Sequence, residues 1–188
     1  MADRPQDPRS VANYVLSIRR HFHYETTNLE LQKIIYFAHA KFLALYNQKL
    51  VEGYFEAWEH GPVHPMLYRE FKRYGADPIG HRAKSVDMIT GDSRFVPYPT
   101  DSSVRSHIVE TVLQLRSLTA SQLREKSHAP GGPWHSVWQS AKVNLASQVI
   151  IPDNVIRGLY NRHILPVGDS NPEDLGREDH PPNFNRGR

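Results

Sequence analysis

The spacing of apolar residues predicts helices over most of the chain. The first series repeats every three or four positions, as one face of an α-helix does: Val11, Tyr14, Val15, Ile18 and Phe22. Before the second series, Thr27 and Glu30 have the spacing of a capping box. The main face of that second helix consists of Leu31, Ile34, Ile35, Ala38, Phe42 and Leu45. Further apolar residues surround it, so we expect a central helix packed on several neighbours rather than one that exposes a groove to a partner.

Shorter segments complete the predicted fold. Residues 53–58 alternate like a strand, and two prolines and a glycine exclude regular helix from residues 60–65. A helix should run from Pro65 to a stop at Gly75. The remaining elements are a small hairpin within 76–101, helices over 104–115, 119–127, 133–141 and 152–165, and an extended run at 149–151. We therefore predict a mainly α fold, a compact bundle of about six to seven helices with a minor β-strand or hairpin element.

One domain is expected between two polar ends. Residues 1–8 carry two prolines among charged residues and are predicted to form a flexible N-terminus. Residues 167–188 contain too little apolar surface to offset the entropy of ordering them. We predict a single domain over residues 9–166 and a disordered polar tail over residues 167–188. A tail that folds onto a partner is the alternative.

The composition indicates the cellular compartment in which the protein works. The 188 residues include no cysteine, which excludes disulfides and thiolate chemistry and is typical of a reducing compartment. No apolar run reaches the roughly 18 residues that a transmembrane helix needs, and the polar N-terminus does not resemble a signal peptide. We predict a cytoplasmic protein with no membrane partner. The net charge of +3 permits contact with nucleic acid without requiring it.

The usual sequence signatures of catalysis are missing. The chain has no phosphate-binding loop, dinucleotide-binding turn, nucleophile elbow or H-E-x-x-H pair. We therefore predict a protein that is not an enzyme and that has no cofactor and no metal. Eleven histidines leave an alternative, a metal-dependent hydrolase whose zinc is held by distant histidines and a carboxylate. The Gly-Pro between His60 and His64 prevents helical convergence of the two rings, so packing and hydrogen-bonding roles are favoured.

Two segments place tryptophan beside proline and glycine turns, at residues 58–65 and 129–138. Large rings on rigid loops make good interface anchors, and they make equally good clamps between a loop and the core. The sequence leaves both interpretations open. Our candidate partner-binding residues are Trp58, His60, Pro62, Val63, Pro65, Tyr68, Trp134 and Trp138.

Basic residues in the third predicted helix support a second function class. Arg69, Lys72 and Arg73 share one face, opposite the apolar residues. Such a face can contact phosphates, which would make the protein a DNA-binding regulatory module. Because the net charge is small, an ordinary solvated surface is the favoured interpretation.

Two runs of the sequence resemble the opening of the Panacea domain, the family that includes the SocA-type antitoxins. The first is the run N-L-E-L-Q-K-I-I-Y at residues 28–36, preceded by Asn13-Tyr14-Val15-Leu16. The second is E-A-W-E-H-G-P-V at residues 56–63, followed by Pro65, Leu67-Tyr68 and residues 71–75. The later Leu123, Ser127-His128, Pro133-Trp134 and Ala141 are similar to its second half.

The resemblance implies a helix-rich antitoxin that neutralises a cognate protein toxin by direct contact. One branch of the family delivers its toxin to a cytoplasmic protease, and members occur in phage and prophage contexts. The family supplies no catalytic residue to transfer. The Pro-Gly-Gly-Pro loop before Trp134 departs from the family pattern. The very apolar second helix also leaves room for a homodimer interface.

Overall fold

The computed structural model describes residues 4–144 and 149–160, and these residues form one hydrophobic core. The helices are α1 Pro8–His21, α2 Asn28–Tyr46, α3 Pro65–Phe71, α4 Ser102–Leu115, α5 Ala120–Ser127, α6 Pro133–Asn144 and α7 Asp153–Leu159. The strands are β1 Phe55–Trp58, β2 Gly61–Val63, β3 Lys84–Val86, β4 Ser93–Phe95 and β5 Ile150–Ile151. The predicted mainly α fold with minor strands is confirmed. No helix among the described residues is long and apolar enough to cross a bilayer.

Helix α2 is the centre of the fold. Thr27 and Glu30 form the predicted capping box, and Asn47 ends the helix in a left-handed conformation. The helix packs against α1, α3, α4, α5, α7 and β2. Most of its apolar surface is therefore covered by the protein's own elements. Leu45 is the exception on the predicted apolar face, because it lies at the helix end and is 58% exposed.

The strands form two small sheets. Strands β2, β1 and β5 make an antiparallel sheet in that order, in which Trp58 pairs with Gly61 and Phe55 with Ile151. Pro62 lies in β2 at the sheet edge, where its missing N–H costs no ladder bond. Strands β3 and β4 form a separate two-stranded hairpin.

The third predicted helix is shorter than expected. Helix α3 ends at Phe71, and Lys72–Tyr74 form a 3₁₀ turn before Gly75, whose φ of 52° ends the segment. Lys72 and Arg73 therefore lie outside the α-helix that was predicted to carry them. The positive φ of Gly75 cannot continue an α-helix. The three residues before it therefore form a tighter 3₁₀ turn.

The structure describes most of the predicted flexible N-terminus but none of the predicted polar tail. Within the N-terminal segment, Gln6 lies opposite Val51 in a parallel bridge: its N–H donates to the Leu50 carbonyl at 2.8 Å, and its carbonyl accepts from the Glu52 N–H at 2.9 Å. Pro8 already begins α1. The predicted polar tail, residues 167–188, lies outside the described residues, as does the predicted end of the last helix near residue 165.

Candidate partner-binding surface

The two tryptophan segments predicted as candidate contacts meet in the structure. The indole Nε1 of Trp134 donates a hydrogen bond of 2.8 Å to the carbonyl oxygen of Trp58. This bond joins the start of α6 to the end of β1 across 76 residues of sequence. Helix α6 also packs against β1 and β5, so the second loop is fixed to the three-stranded sheet.

Two groups of aromatic rings, joined by the Trp134–Trp58 hydrogen bond, are here called the aromatic cluster: Tyr68 with Trp58, and Trp134 with His128 and Trp138. Tyr68 meets Trp58 edge to face, with 4.7 Å between ring centroids. The Trp134 ring is stacked parallel on His128 at 3.7 Å and lies 5.3 Å from Trp138. Ring contacts of this kind add to the stability gained from area burial alone.

Most of the candidate contact residues belong to the core. Trp58, His60, Val63 and Trp134 are at most 7% exposed, and Pro62 is also buried. The indole N–H of Trp58 is satisfied within the fold, since it donates to Glu56 Oε2 at 2.7 Å. These five side chains pack in the core and join the two segments to it.

Three of the candidates reach the surface. Pro65, Tyr68 and Trp138 are half-buried, and Met66 beside them in sequence is 40% exposed. We call Pro65, Tyr68 and Trp138 the aromatic rim. The rings of Tyr68 and Trp138 pack on Trp58 and Trp134, which holds their exposed sides in fixed positions. A rigid, partly exposed aromatic surface is the usual form of an interface anchor.

Two polar side chains of α2 hydrogen-bond to the backbone of β2 and of the residue that follows it. The Nζ atom of Lys33, which is fully buried, donates to the carbonyl oxygen of Pro62 at 3.2 Å. The side-chain oxygen of Gln32 accepts a hydrogen bond of 2.8 Å from the backbone N–H of His64. The two runs that resemble the Panacea domain are thus joined to each other directly.

Gly61 is required at the turn of this hairpin. Its φ is 107°, a conformation that residues with a side chain rarely adopt. A Cβ atom at this position would lie 2.6 Å from Ser127 Oγ and 2.9 Å from Lys33 Cε. The hairpin, α2 and α5 therefore approach one another too closely for any other residue.

His128 is neutral at physiological pH because its pKa is strongly lowered. Burial, together with the positive charges of Lys33 and Arg124, lowers the pKa of His128 to about 3. Because the imidazole is neutral, it can stack on the Trp134 ring in the core without the free-energy cost of burying a charge. This histidine is therefore a packing element at neutral pH.

Other histidines in the core also have structural hydrogen bonds. His64 Nε2 donates to the carbonyl oxygen of Glu52 at 2.8 Å, and His39 Nε2 bonds Asp153 at 3.2 Å. The Phe55 ring lies between these two imidazoles, about 5.2 Å from one and 5.3 Å from the other. Within residues 4–144 and 149–160, no group of three or more metal-ligating side chains comes together.

The basic candidates lie on the surface. Arg69, Lys72 and Arg73 are all exposed. Arg73 packs on the Tyr74 ring and donates to its hydroxyl at 3.2 Å. The group is consequently a short exposed stretch spanning the end of α3 and the 3₁₀ turn.

Sequence reasoning missed the polar residues that fix the site. Gln32 and Lys33 were part of the first family-like run, but a lysine and a glutamine within a helix are normally assigned to the solvent side. The signal for their burial was the apolar surface around most of α2, which leaves little of the helix for solvent.

Comparison of the sequence with known proteins identifies the family. The family model for the antitoxin SocA-like, Panacea domain matches residues 31–135. The chain is also 38% identical to the protein named Antitoxin SocA of Caulobacter vibrioides strain NA1000 / CB15N, over 90% of this chain and 89% of that one. The chain belongs to the SocA-like Panacea domain family. No solved structure matches it.

The family match covers four of the five rings of the aromatic cluster. It begins at Leu31 in α2 and ends at His135, one residue after Trp134. In this Panacea domain, the matched region thus includes the Lys33–Pro62 contact and the Trp134–Trp58 bond. Trp138, in the aromatic rim, lies just beyond the matched region.

Proposed function

We propose that this Panacea domain protein is the antitoxin of a toxin–antitoxin system and that it neutralises a protein toxin by binding it directly, without catalysing a reaction. The observation that carries the proposal is the 38% identity to Antitoxin SocA, which extends over nearly the whole of both chains.

The aromatic rim is the proposed contact surface near the family motifs. Tyr68 and Trp138 combine large apolar area with few rotatable bonds, so little entropy is lost when a partner covers them. The buried aromatic cluster supports them and contributes rigidity rather than contacts. Trp58 and Trp134 are accordingly assigned a structural role in this proposal.

The test is co-expression with the adjacent open reading frame, read as cell growth and as pull-down of the two proteins. We expect the neighbour to be toxic alone, and to be both bound and neutralised by this protein. A harmless or unbound neighbour would contradict the proposal. The amount of toxin after neutralisation separates two modes, because occlusion leaves the toxin level unchanged and delivery to a cytoplasmic protease lowers it.

Variants of the rim test the surface assignment. Tyr68→Ala and Trp138→Ala should each weaken toxin binding about tenfold or more if the residues are anchors. Phe22→Ala is the matched control, because Phe22 is an aromatic residue that is 43% exposed at the end of α1, outside the rim. Equal affinity of all three variants would remove the rim from the interface and leave the antitoxin function standing.

A further inference from the structure

The β3–β4 hairpin is a two-stranded sheet, and no other strand of the described chain lies along either of its outer edges. The Asp87 N–H donates to the Asp92 carbonyl at 2.9 Å, which makes these two residues a hydrogen-bonded pair. Hydrogen-bonded and non-hydrogen-bonded pairs alternate along an antiparallel ladder, so the N–H and C=O groups of Lys84 and Val86 point away from β4. The edge of β3 therefore presents four backbone groups in the arrangement that a further strand requires.

Large apolar side chains lie beside this edge. Val86 in β3 and Phe95 in β4 are 58% and 47% exposed, and Met88 and Ile89 at the tip are 94% and 95% exposed. Phe95 pairs with Lys84, and Lys84 and Val86 are two residues apart in one strand, so all three side chains share a face of the hairpin. A further strand along β3 would remove part of the Val86 side chain from water, which favours association.

A buried asparagine fixes the base of the hairpin to α1. The amide nitrogen of Asn13 donates to the carbonyl oxygens of Ala83 and Val96, at 3.0 and 2.9 Å, and its side-chain oxygen accepts from the N–H of Ala83 at 2.6 Å. One fully buried side chain thus holds both ends of the hairpin. Because the hairpin is already positioned in the single chain, little further ordering is needed when a partner pairs with its edge.

The ionised side chains change sign along the hairpin. Asp87 and Asp92 lie at the tip, whereas Arg82 and Lys84 lie at the base, 4.3 and 5.0 Å from the centre of the Phe95 ring. None of these four charged groups takes part in a salt bridge within the described chain. The hairpin is therefore negative at its tip and positive at its base.

This change of sign selects the partner. An acidic protein surface or duplex DNA along the edge would meet the carboxylates of the tip, and a basic surface would meet Arg82 and Lys84 at the base. A second copy in the antiparallel orientation places its base beside the first tip and its tip beside the first base, so opposite charges meet at both ends. Such a contact is symmetric about a two-fold axis, which is the usual form of a homodimer interface.

The outward backbone groups of β3 fix the register of such a pair. With Ser85 on the two-fold axis, Lys84 of each copy pairs with Val86 of the other, and every outward group of both strands forms a hydrogen bond. A register with Lys84 opposite its own counterpart would place two cations side by side, which is destabilising. The register centred on Ser85 avoids this repulsion and uses all of the available backbone groups.

The edge of β4 is less suited to the same contact. Its outward groups belong to Ser93 and Phe95, so a symmetric pair that used both would place Arg94 directly opposite its own counterpart. In the pair through β3, the two Arg94 side chains lie three strand spacings apart, which is about 14 Å. This separation exceeds the Debye length of about 8–10 Å at physiological salt, so their repulsion is largely screened.

From these observations we propose that the edge of β3 binds a second copy of this chain, giving a two-fold symmetric, antiparallel four-stranded sheet in the order β4–β3–β3–β4 with Ser85 at its centre. The proposal places a homodimer contact on β3 rather than on α2, most of whose apolar surface is covered within the chain. It does not rest on the proposed function, because the contact involves this chain alone.

Sedimentation velocity of the full chain over a dilution series tests the dimer. The wild type should dissociate into monomers on dilution, because a contact through one strand edge is small. Val86→Pro should raise the dissociation constant of the dimer at least about tenfold, since it removes an N–H that the second copy uses and the hairpin itself does not. Ser93→Pro is the matched control, because it removes an outward N–H from β4 and should leave the dissociation constant unchanged.

A disulfide tests the register, because the chain has no cysteine of its own. In the proposed sheet the two copies of residue 85 form a non-hydrogen-bonded pair with about 4.5 Å between their Cα atoms, a separation that a disulfide can span. Ser85→Cys should therefore form a covalent dimer under mild oxidation at least about tenfold faster than Ser93→Cys, whose thiol lies on an outer strand of the sheet.

Lys84→Glu tests the arrangement of tip against base. The variant carries carboxylates at both ends of the hairpin, so its dissociation constant should be about tenfold higher than that of the wild type at low salt. The difference should shrink as the salt concentration rises, because exposed charges are then screened. A difference of the same size at every salt concentration would overturn the tip-to-base arrangement.

The outcomes distinguish this inference from the proposed function. A wild type that stays monomeric at all concentrations overturns the inference, as does a Val86→Pro dimer as tight as that of the wild type. Equal oxidation rates for Ser85→Cys and Ser93→Cys also overturn it, and this comparison decides alone if Val86→Pro does not fold. Because none of these measurements uses the toxin, a failure here leaves the antitoxin function standing, and co-expression with the adjacent open reading frame tests that function separately.

Discussion

The indole nitrogen of Trp134 lies 2.8 Å from the carbonyl oxygen of Trp58, and this bond joins two loops that are far apart in sequence. The Trp134 side chain is 6% exposed, so water does not replace the bond when it is lost. The bond therefore fixes the position of α6, and with it the half-buried ring of Trp138, relative to β1.

Trp134→Phe tests this relationship. The substitution removes the donor and leaves the Trp58 carbonyl without that partner, which should lower the free energy of unfolding by about 1–3 kcal/mol in a urea titration. Trp138→Phe is the control, because Trp138 is half-buried and the same change of ring should cost less. Equal stability losses in the two variants would show that the hydrogen bond contributes little.

Gly61→Ala should lower the free energy of unfolding by more than a typical surface substitution does. The new methyl group would require a rare φ of 107° and would lie 2.6 Å from Ser127 Oγ, so strain of about 1–3 kcal/mol is expected. Gly158→Ala is the opposite control. Gly158 lies in α7 with no atom within 4 Å of the added carbon, and alanine there should stabilise the helix by up to about 1 kcal/mol. A Gly61→Ala variant as stable as the wild type would contradict the close packing of β2, α2 and α5.

Local patterns in the sequence predicted the elements that depend on local interactions. The capping box predicted at Thr27 is present, and Pro65 and Pro133 begin helices as expected. The hairpin within residues 76–101 is also confirmed, with strands at Lys84–Val86 and Ser93–Phe95. These features depend on backbone geometry over a few residues, which the sequence records directly.

Contacts between distant segments could not be predicted in the same way. Nothing in the residues near Trp134 indicates that its donor would meet the carbonyl of Trp58, and the open choice between anchors and clamps depended on that contact. Lys33 and Asn13 are polar residues that the helical pattern assigns to solvent, yet both are fully buried because a carbonyl oxygen of another segment lies within reach. Their positions depend on tertiary packing, which overrides the preference of the residue type.

Stability should fall as the pH decreases below about 6.5, the pKa of an unfolded histidine. Burial lowers the pKa of His128 to about 3 and also lowers those of His64 and His107. Between the folded and unfolded pKa values the unfolded chain binds more protons, so each such histidine adds a slope of up to about 1.4 kcal/mol per pH unit. Urea titrations from pH 7.5 to 5 measure the slope.

His128→Phe identifies the contribution of that one ring. Phenylalanine keeps a ring against Trp134 but does not titrate, so the variant should lose part of the slope below pH 6.5 whatever its stability at neutral pH. An unchanged slope would show that His128 is not the group responsible, and His64 and His107 would then account for the acid sensitivity.

Asp153→Asn should loosen α7 more than the rest of the fold. Asp153 is the first residue of α7, and its carboxylate bonds His39 at 3.2 Å and Lys49 at 2.6 Å. Burial alone would raise the pKa of this carboxyl, but the hydrogen bonds from His39 and Lys49 outweigh it and lower the pKa. The ionised form is therefore favoured in the folded state, and its contribution is present above about pH 3.9 and lost as the pH falls through the lower folded value.

Removing this charge by substitution at neutral pH should cost about 1–3 kcal/mol, because His39 is buried and loses a charged acceptor. Amide hydrogen exchange should show the loss first in α7, since the bonds to His39 and Lys49 tie the start of that helix to α2 and to the segment after it. Asp77→Asn makes the same chemical change at an exposed position and should leave the α7 amides unaffected. If both variants exchange as the wild type does, the Asp153 contacts do not hold α7, and its apolar packing against α2 alone is sufficient.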